Sequence, residues 1–334
     1  MKELIPELMQ IVASKFVTKP LYLAAQLGLP DLLQDGPLSV DELATRTSSH
    51  PPSLYRLLRA LASVGIFEET EGRRFRNTPR SEMFQNRVGS LRGMLLWIND
   101  PRHDRAWENL AHCVKTGETA IPVTFGGREV WQWLRETPDL FAIFNEAMTS
   151  NAHNLHAAAA AACDFSGFRR LVDVGGGRGG LLASILDRTP GLHGVVFDQA
   201  AVVDQARAAL AARGLGSRSE AIGGDFFASV PEGDAHILSF VIHDWDDERS
   251  TAILRNIHRA QPNGGRVFLV EIVIPEGNEP SFGKFVDIEM LCLAGGRERT
   301  RAEYASVFDA AGFRLVRVVA TESPCSVLEA ERVG

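Results

Sequence analysis

The chain has 334 residues, 45% hydrophobic and 23% charged, enough to bury two cores without covalent or metal staples. Its formal net charge of −7 argues against a nucleic-acid surface, which needs clustered Lys and Arg. Four scattered cysteines without a CxxC pair suggest neither a disulfide framework nor a zinc site, and no apolar run approaches the ~20 residues of a membrane helix, so the expected location is the cytoplasm.

Residues 1–33 read as helical. Ile5, Leu8, Ile11, Val12 and Phe16 supply more apolar surface than a short segment buries by itself, so it covers either a second subunit or the rest of the chain. Ser39 and Glu42 form a capping box ahead of a short helix. Leu54, Leu57, Leu58, Leu61 and Val64 then share one helical face, and residues 66–68 and 74–77 read as a hairpin around Glu71-Gly72. Helix, turn, helix and hairpin make a winged helix. Residues 81–165 look mainly helical, with Trp97, Trp107, Trp131 and Trp133 and an Ala-rich run at 157–162.

From Arg169 the pattern alternates. Residues 171–174, 194–197, 237–242 and 267–274 read as strands; 181–186, 200–212 and 247–260 read as helices. Such alternation predicts a parallel, doubly wound sheet, an α/β class. A helix near 301–311 and apolar segments at 315–319 and 326–329 end the chain. The domains expected are a helical winged-helix unit over 1–100, a helical connector over 101–165, and a Rossmann-like domain over 166–334.

The loop Val174-Gly175-Gly176-Gly177-Arg178-Gly179-Gly180 joins the first of these strands to its helix. Gly175, Gly177 and Gly180 satisfy the dinucleotide fingerprint, a weak signal in so glycine-rich a run. Asp173, inside the strand, points instead to S-adenosylmethionine: a carboxylate suits a methionine ammonium and not a pyrophosphate. Asp198 ends the second strand, where an acid can hold ribose hydroxyls under either reading. Asp225-Phe226 offers a carboxylate and an aromatic face for adenine.

His243 follows the fourth strand, and Glu271 lies in the fifth. A carboxylate in so apolar a strand needs a partner, and a histidine on the neighbouring strand supplies one. Glu298 is a candidate third member. A sulfonium methyl is already activated, so the acceptor oxygen is what needs help. An imidazole can take the proton of a phenol as the methyl arrives, with a carboxylate fixing its tautomer.

Together these residues resemble the small-molecule O-methyltransferases that include plant caffeic-acid-type and bacterial aromatic-polyketide tailoring enzymes. The resemblance spans essentially the whole chain and is most specific in LVDVGGG at 171–177, GGDFF at 223–227, HDWDDE at 243–248 and GGRERT at 295–300. It implies an N-terminal dimerisation domain, hence a homodimer, and a class I methyltransferase domain using S-adenosylmethionine without a metal. It places the donor glycine on Gly175, the ribose acid on Asp198, the adenine contacts on Asp225 and Phe226, the base on His243 and its flanking acids on Glu271 and Glu298. Acceptor contacts fall on Met148, Asp244 and Met290. Ser239 stands at a donor position where plant-type members carry Lys, which favours the bacterial branch, and one residue fewer separates Met290 from GGRERT, which implies a different pocket rim. The acceptor implied is a small hydroxylated aromatic. The competing readings are an N- or C-methyltransferase and a winged-helix DNA-binding regulator; Asp41, Glu42, Glu68, Glu69 and Glu71 surround the winged helix with negative charge and oppose the second.

Overall fold

A computed structural model describes residues 4–334, the side chains of residues 153 and 154 excepted. The chain divides into two compact units, which do not follow the expected segments: the connector is shared out between them. Among the described residues, one unit holds residues 4–105 together with Trp131–Asn151; the other holds Ala106–Val130 and Ala152–Gly334.

The first unit opens with helices Leu4–Val12, Lys15–Gln26 and Leu29–Leu32. Strand β1 (Leu38–Ser39) leads into helix Val40–Thr47, whose capping box closes as expected: Ser39 Oγ accepts from the Glu42 amide, and the Glu42 carboxylate accepts from the Ser39 amide. Helix Pro51–Ser63, β2 (Phe67–Thr70) and β3 (Arg74–Asn77) complete the winged helix, in an antiparallel sheet of order β1-β3-β2. Leu29, Leu43, Leu58, Phe67 and Phe75 form its core. Helix Leu4–Val12 buries none of its residues; Leu8, Ile11, Val12 and, beyond it, Phe16 are more than half exposed.

The second unit is built on β4 (Arg170–Val174), β5 (His193–Asp198), β6 (Ser219–Gly223), β7 (Ala235–Ser239), β8 (Arg266–Glu271), β9 (Phe313–Ala320) and β10 (Ser326–Arg332). Their order is β6-β5-β4-β7-β8-β10-β9. The first five are parallel, as the alternation predicts, but β10 runs antiparallel to both β8 and β9. The sheet is therefore mixed at that edge, because a hairpin and not a helix joins the last two strands. Side chains alternate between two cores: Leu171, Val196, Ile237 and Phe268 on one face, Val172, Val195, Leu238 and Leu269 on the other. Segment 106–130 is tied in at helix Gly283–Leu293, where Trp107 Nε1 donates to Glu289 Oε2 at 2.6 Å.

Strand order reverses between β4 and β7. The crevice outside the carboxyl ends of such strands is where open α/β sheets bind ligands. It is where both motif-bearing loops emerge.

Candidate active site

On the β4 side, the Gly175 amide donates to the Phe197 carbonyl at 2.8 Å and turns the chain sharply at φ 73°. A Cβ on Gly175 would meet Val241 Cγ2 at 2.7 Å, so only glycine lets this loop lie against the segment after β7. Asp198 closes the cradle: its Oδ2 accepts from the Gly177 amide at 2.8 Å and its Oδ1 from the Gln199 amide at 2.6 Å. The carboxylate is thereby fixed at the end of β5, with lone pairs remaining for hydroxyls. Asp173 is buried, and its Oδ2 has no hydrogen-bond partner. Burial, then the charge of Asp198, raise its ionisation to about 7. An orphaned buried acid beside a bare glycine loop fits a cationic ligand group. Asp225 is exposed and caps its own turn by accepting from the Phe227 amide at 2.8 Å; the Phe226 carbonyl accepts from Asn256 Nδ2 at 2.7 Å. Phe226, Phe227 and Trp245 form an edge-to-face aromatic cluster. These features fit the adenosyl and methionine ends of S-adenosylmethionine, with Gly175 and Gly177 as the floor, Asp198 for ribose and Phe226 for adenine.

On the β7 side the structure corrects two expectations. The strand ends at Ser239, not at residue 242, because Phe240 takes a left-handed φ of 53°. His243 therefore sits in a short 3-10 turn, Ile242–Asp244, and not on a strand end. The second correction concerns Glu271. It does not hold the histidine ring: its Oε1 accepts from the Val241 and Ile242 amides at 3.3 and 3.0 Å, replacing ladder partners lost when the strand stops. The ring is held by Glu298, whose Oε1 lies 2.9 Å from His243 Nδ1. Nε2 faces Asp244 Oδ1 at 3.5 Å. Only 12% of the His243 side chain is exposed, and none of Glu298.

Burial alone would push the His243 ionisation down. The charge of Asp244, the hydrogen bond to Glu298 and the charge of Glu271 outweigh it and hold the ring at about 10. Burial raises Glu271 to about 7 despite the imidazole beside it. The cluster is thus short of positive charge, and Glu271 Oε2, Glu298 Oε2 and the Tyr304 hydroxyl are buried without partners. Ligand atoms of His243, Glu271 and Glu298 all lie within 4.8 Å of one another, a donor set that could also hold a cation.

Ser239 ends β7 with a buried, unpartnered hydroxyl. Met290 lies partly buried on helix Gly283–Leu293. Met148 lies on helix Pro138–Ala162, in the part of it belonging to the first unit. Sequence reasoning missed Arg299, which is fully buried, and Asp287, whose Oδ1 accepts from the Glu298 amide at 2.8 Å. The GGRERT motif contained the signal for the first, since an arginine adjoining a candidate catalytic acid needs a partner of its own.

An O-methyltransferase domain model matches residues 107–314, and an O-methyltransferase dimerisation domain model matches residues 9–87. A phenazine O-methyltransferase of Lysobacter antibioticus is 42% identical over 98% of this chain and 96% of its own. A phenazine-1-carboxylate N-methyltransferase of Pseudomonas aeruginosa is 31% identical over 93% of this chain and 92% of its own. The solved structure of a mitomycin 7-O-methyltransferase superimposes with a TM-score of 0.91 at 36% identity, over 98% of this chain and 97% of that one.

Proposed function

The chain belongs to the S-adenosylmethionine-dependent small-molecule methyltransferases that join an O-methyltransferase domain to a dimerisation domain, and from that premise we propose that it methylates a hydroxyl of a small aromatic acceptor, with His243 as general base. The observation that carries this reading is the His243 ring, anchored at Nδ1 by a buried carboxylate in the short turn that follows Val241, the residue lying against the glycine loop. A neutral amine is nucleophilic enough to take the methyl group before losing its proton, and so has less need of a base than a phenol.

S-adenosylmethionine, when bound, would supply a methyl group activated by its sulfonium, the sulfur–methyl bond breaking as the acceptor oxygen bonds to that carbon and leaving the neutral thioether of S-adenosylhomocysteine. The acceptor hydroxyl gives its proton to His243 Nε2 as its oxygen forms the new bond to carbon. Glu298 keeps the opposite nitrogen protonated and steadies the imidazolium. Glu271 fixes the turn through its amides, and Asp244 flanks the proton-accepting nitrogen. Asp173, Gly175, Gly177, Asp198, Asp225, Phe226 and Ser239 are assigned to the donor, and Asp244 and Met290 to the acceptor. Thioethers adapt to varied ring shapes.

Incubating the protein with isotopically labelled donor and a panel of hydroxylated and aminated aromatics, in EDTA, tests the assignment by product mass spectrometry. Label should appear on oxygen, undiminished by the chelator, since no step is given to a cation. Label on nitrogen alone, or turnover that needs added magnesium, would contradict the proposal.

The dimerisation domain and the exposed apolar face of residues 4–16 support a homodimer. The intact chain should sediment as a dimer at micromolar concentration. Removing the first 30 residues should cause aggregation or dissociation; a well-behaved monomer of the intact chain would exclude this assembly. The proposed location is the cytoplasm; among the described residues no helix is long and apolar enough to cross a membrane.

A further inference from the structure

Three consecutive residues of the 295–300 loop grip three different parts of the turn that carries His243. The Arg297 amide donates to the His243 carbonyl at 2.8 Å. Glu298 holds the ring at Nδ1. Arg299 reaches past both: its guanidinium donates to the Ile242 carbonyl at 3.2 Å and the Trp245 carbonyl at 2.9 Å, and pairs with Asp247 Oδ1 at 2.7–2.8 Å. Gly296 makes the approach feasible, since a Cβ there would lie 1.9 Å from the His243 carbonyl oxygen.

We propose that Arg299 is a positioning residue for the methyl transfer, setting the direction of the His243 ring by clamping the carbonyls on either side of it. This rests on the reading of His243 as the base. A guanidinium with no exposed surface costs desolvation that a single acid, Asp247, itself half exposed, does not fully offset. What the burial achieves is geometric. The planar fork spans both ends of a turn whose left-handed entry at Phe240 leaves it without ladder support. The same residue's backbone bridges Val273, so the loop is locked to the segment that follows β8.

The clamp predicts a conditional effect, and a double-mutant cycle reads it. Arg299→Lys keeps the charge and the Asp247 pair but cannot reach both carbonyls. In the parent it should lower kcat by about 10–100-fold, the scale of a small misplacement of a reacting group. In the His243→Ala background it should change kcat by less than twofold. Donor Kd, measured by calorimetry, should stay within twofold throughout, and the alkaline limb of the kcat profile should move in the single variant. Asp247→Asn, which loosens the clamp from its exposed end, should show a weaker loss with the same dependence on His243, and serves if Arg299→Lys does not fold. Equal losses in both backgrounds, or a matching loss of donor affinity, would overturn the proposal by making Arg299 a general structural residue. His243→Ala leaving kcat unchanged would overturn the base assignment itself, and is read from that variant alone.

Discussion

His243→Ala is expected to lower turnover of a phenolic acceptor by about 10²–10⁴-fold near neutral pH, the range of a positioned general base, while leaving donor affinity close to that of the parent. The donor cradle is built from the β4 and β5 loops, and the ring contributes no hydrogen bond to it. The surrounding acids raise the ring's ionisation to about 10, close to the ~10 of a phenol, so proton transfer between them is nearly balanced. The same shift sets the pH dependence. A base acts in its unprotonated form, and that fraction grows as pH rises towards the raised value. Parent turnover should therefore climb from neutral pH to about 10, not level off near the ordinary histidine range. A profile levelling off near pH 6.5 would show that Asp244, Glu298 and Glu271 do not act on the ring as their positions imply.

Glu298→Gln is expected to cost turnover about 10–10³-fold, because an amide neither fixes the Nδ1 tautomer nor stabilises the imidazolium as a carboxylate does. It should also move the alkaline limb downward, since the hydrogen bond to Glu298 is one of the contacts holding the ring's ionisation up. Glu271→Gln should cost only a few-fold: a glutamine oxygen still accepts from the Val241 and Ile242 amides, and the ring keeps its own anchor. Steady-state kcat at saturating donor and acceptor separates the two. A larger loss at Glu271 would return the ring to the neighbouring strand's acid and contradict the hydrogen bonding described above.

That ordering marks where the sequence ceased to be legible. The sharp turn of the glycine loop and the turn capped by Asp225 were legible because each depends on its own neighbours in the chain. Helices Ala200–Ala212 and Asp247–Ala260 were marked by apolar spacing and stops. Glu271 was recognisable as a misfit in an apolar strand, but not what it served, because no local pattern foretells that Phe240 turns left-handed and frees two amides. Val241 and Ile242 are buried although outside the ladder, so their hydrophobicity prolonged the apparent strand. Ile272 and Val273 did the same after β8, where they pack against the cores. The winged helix was legible for a related reason: its capping box and hairpin are local. The direction of β10 and the grip of Arg299 on a turn more than 50 residues away depend on the folded chain as a whole.

The central claim is that His243 removes the acceptor's proton. The most direct measurement is the ratio of parent to His243→Ala turnover, at one pH near neutrality, across acceptors of graded hydroxyl acidity and similar shape. For an ordinary phenol, which is protonated there, the ratio should be about 10²–10⁴. For an acceptor acidified by electron-withdrawing substituents until it is ionised at the assay pH, the proton is already gone and the ratio should fall to a few-fold. A ratio that stays constant across the series, whether large or near unity, would mean that His243 serves alignment or stability and that proximity to the donor carries the reaction without a base.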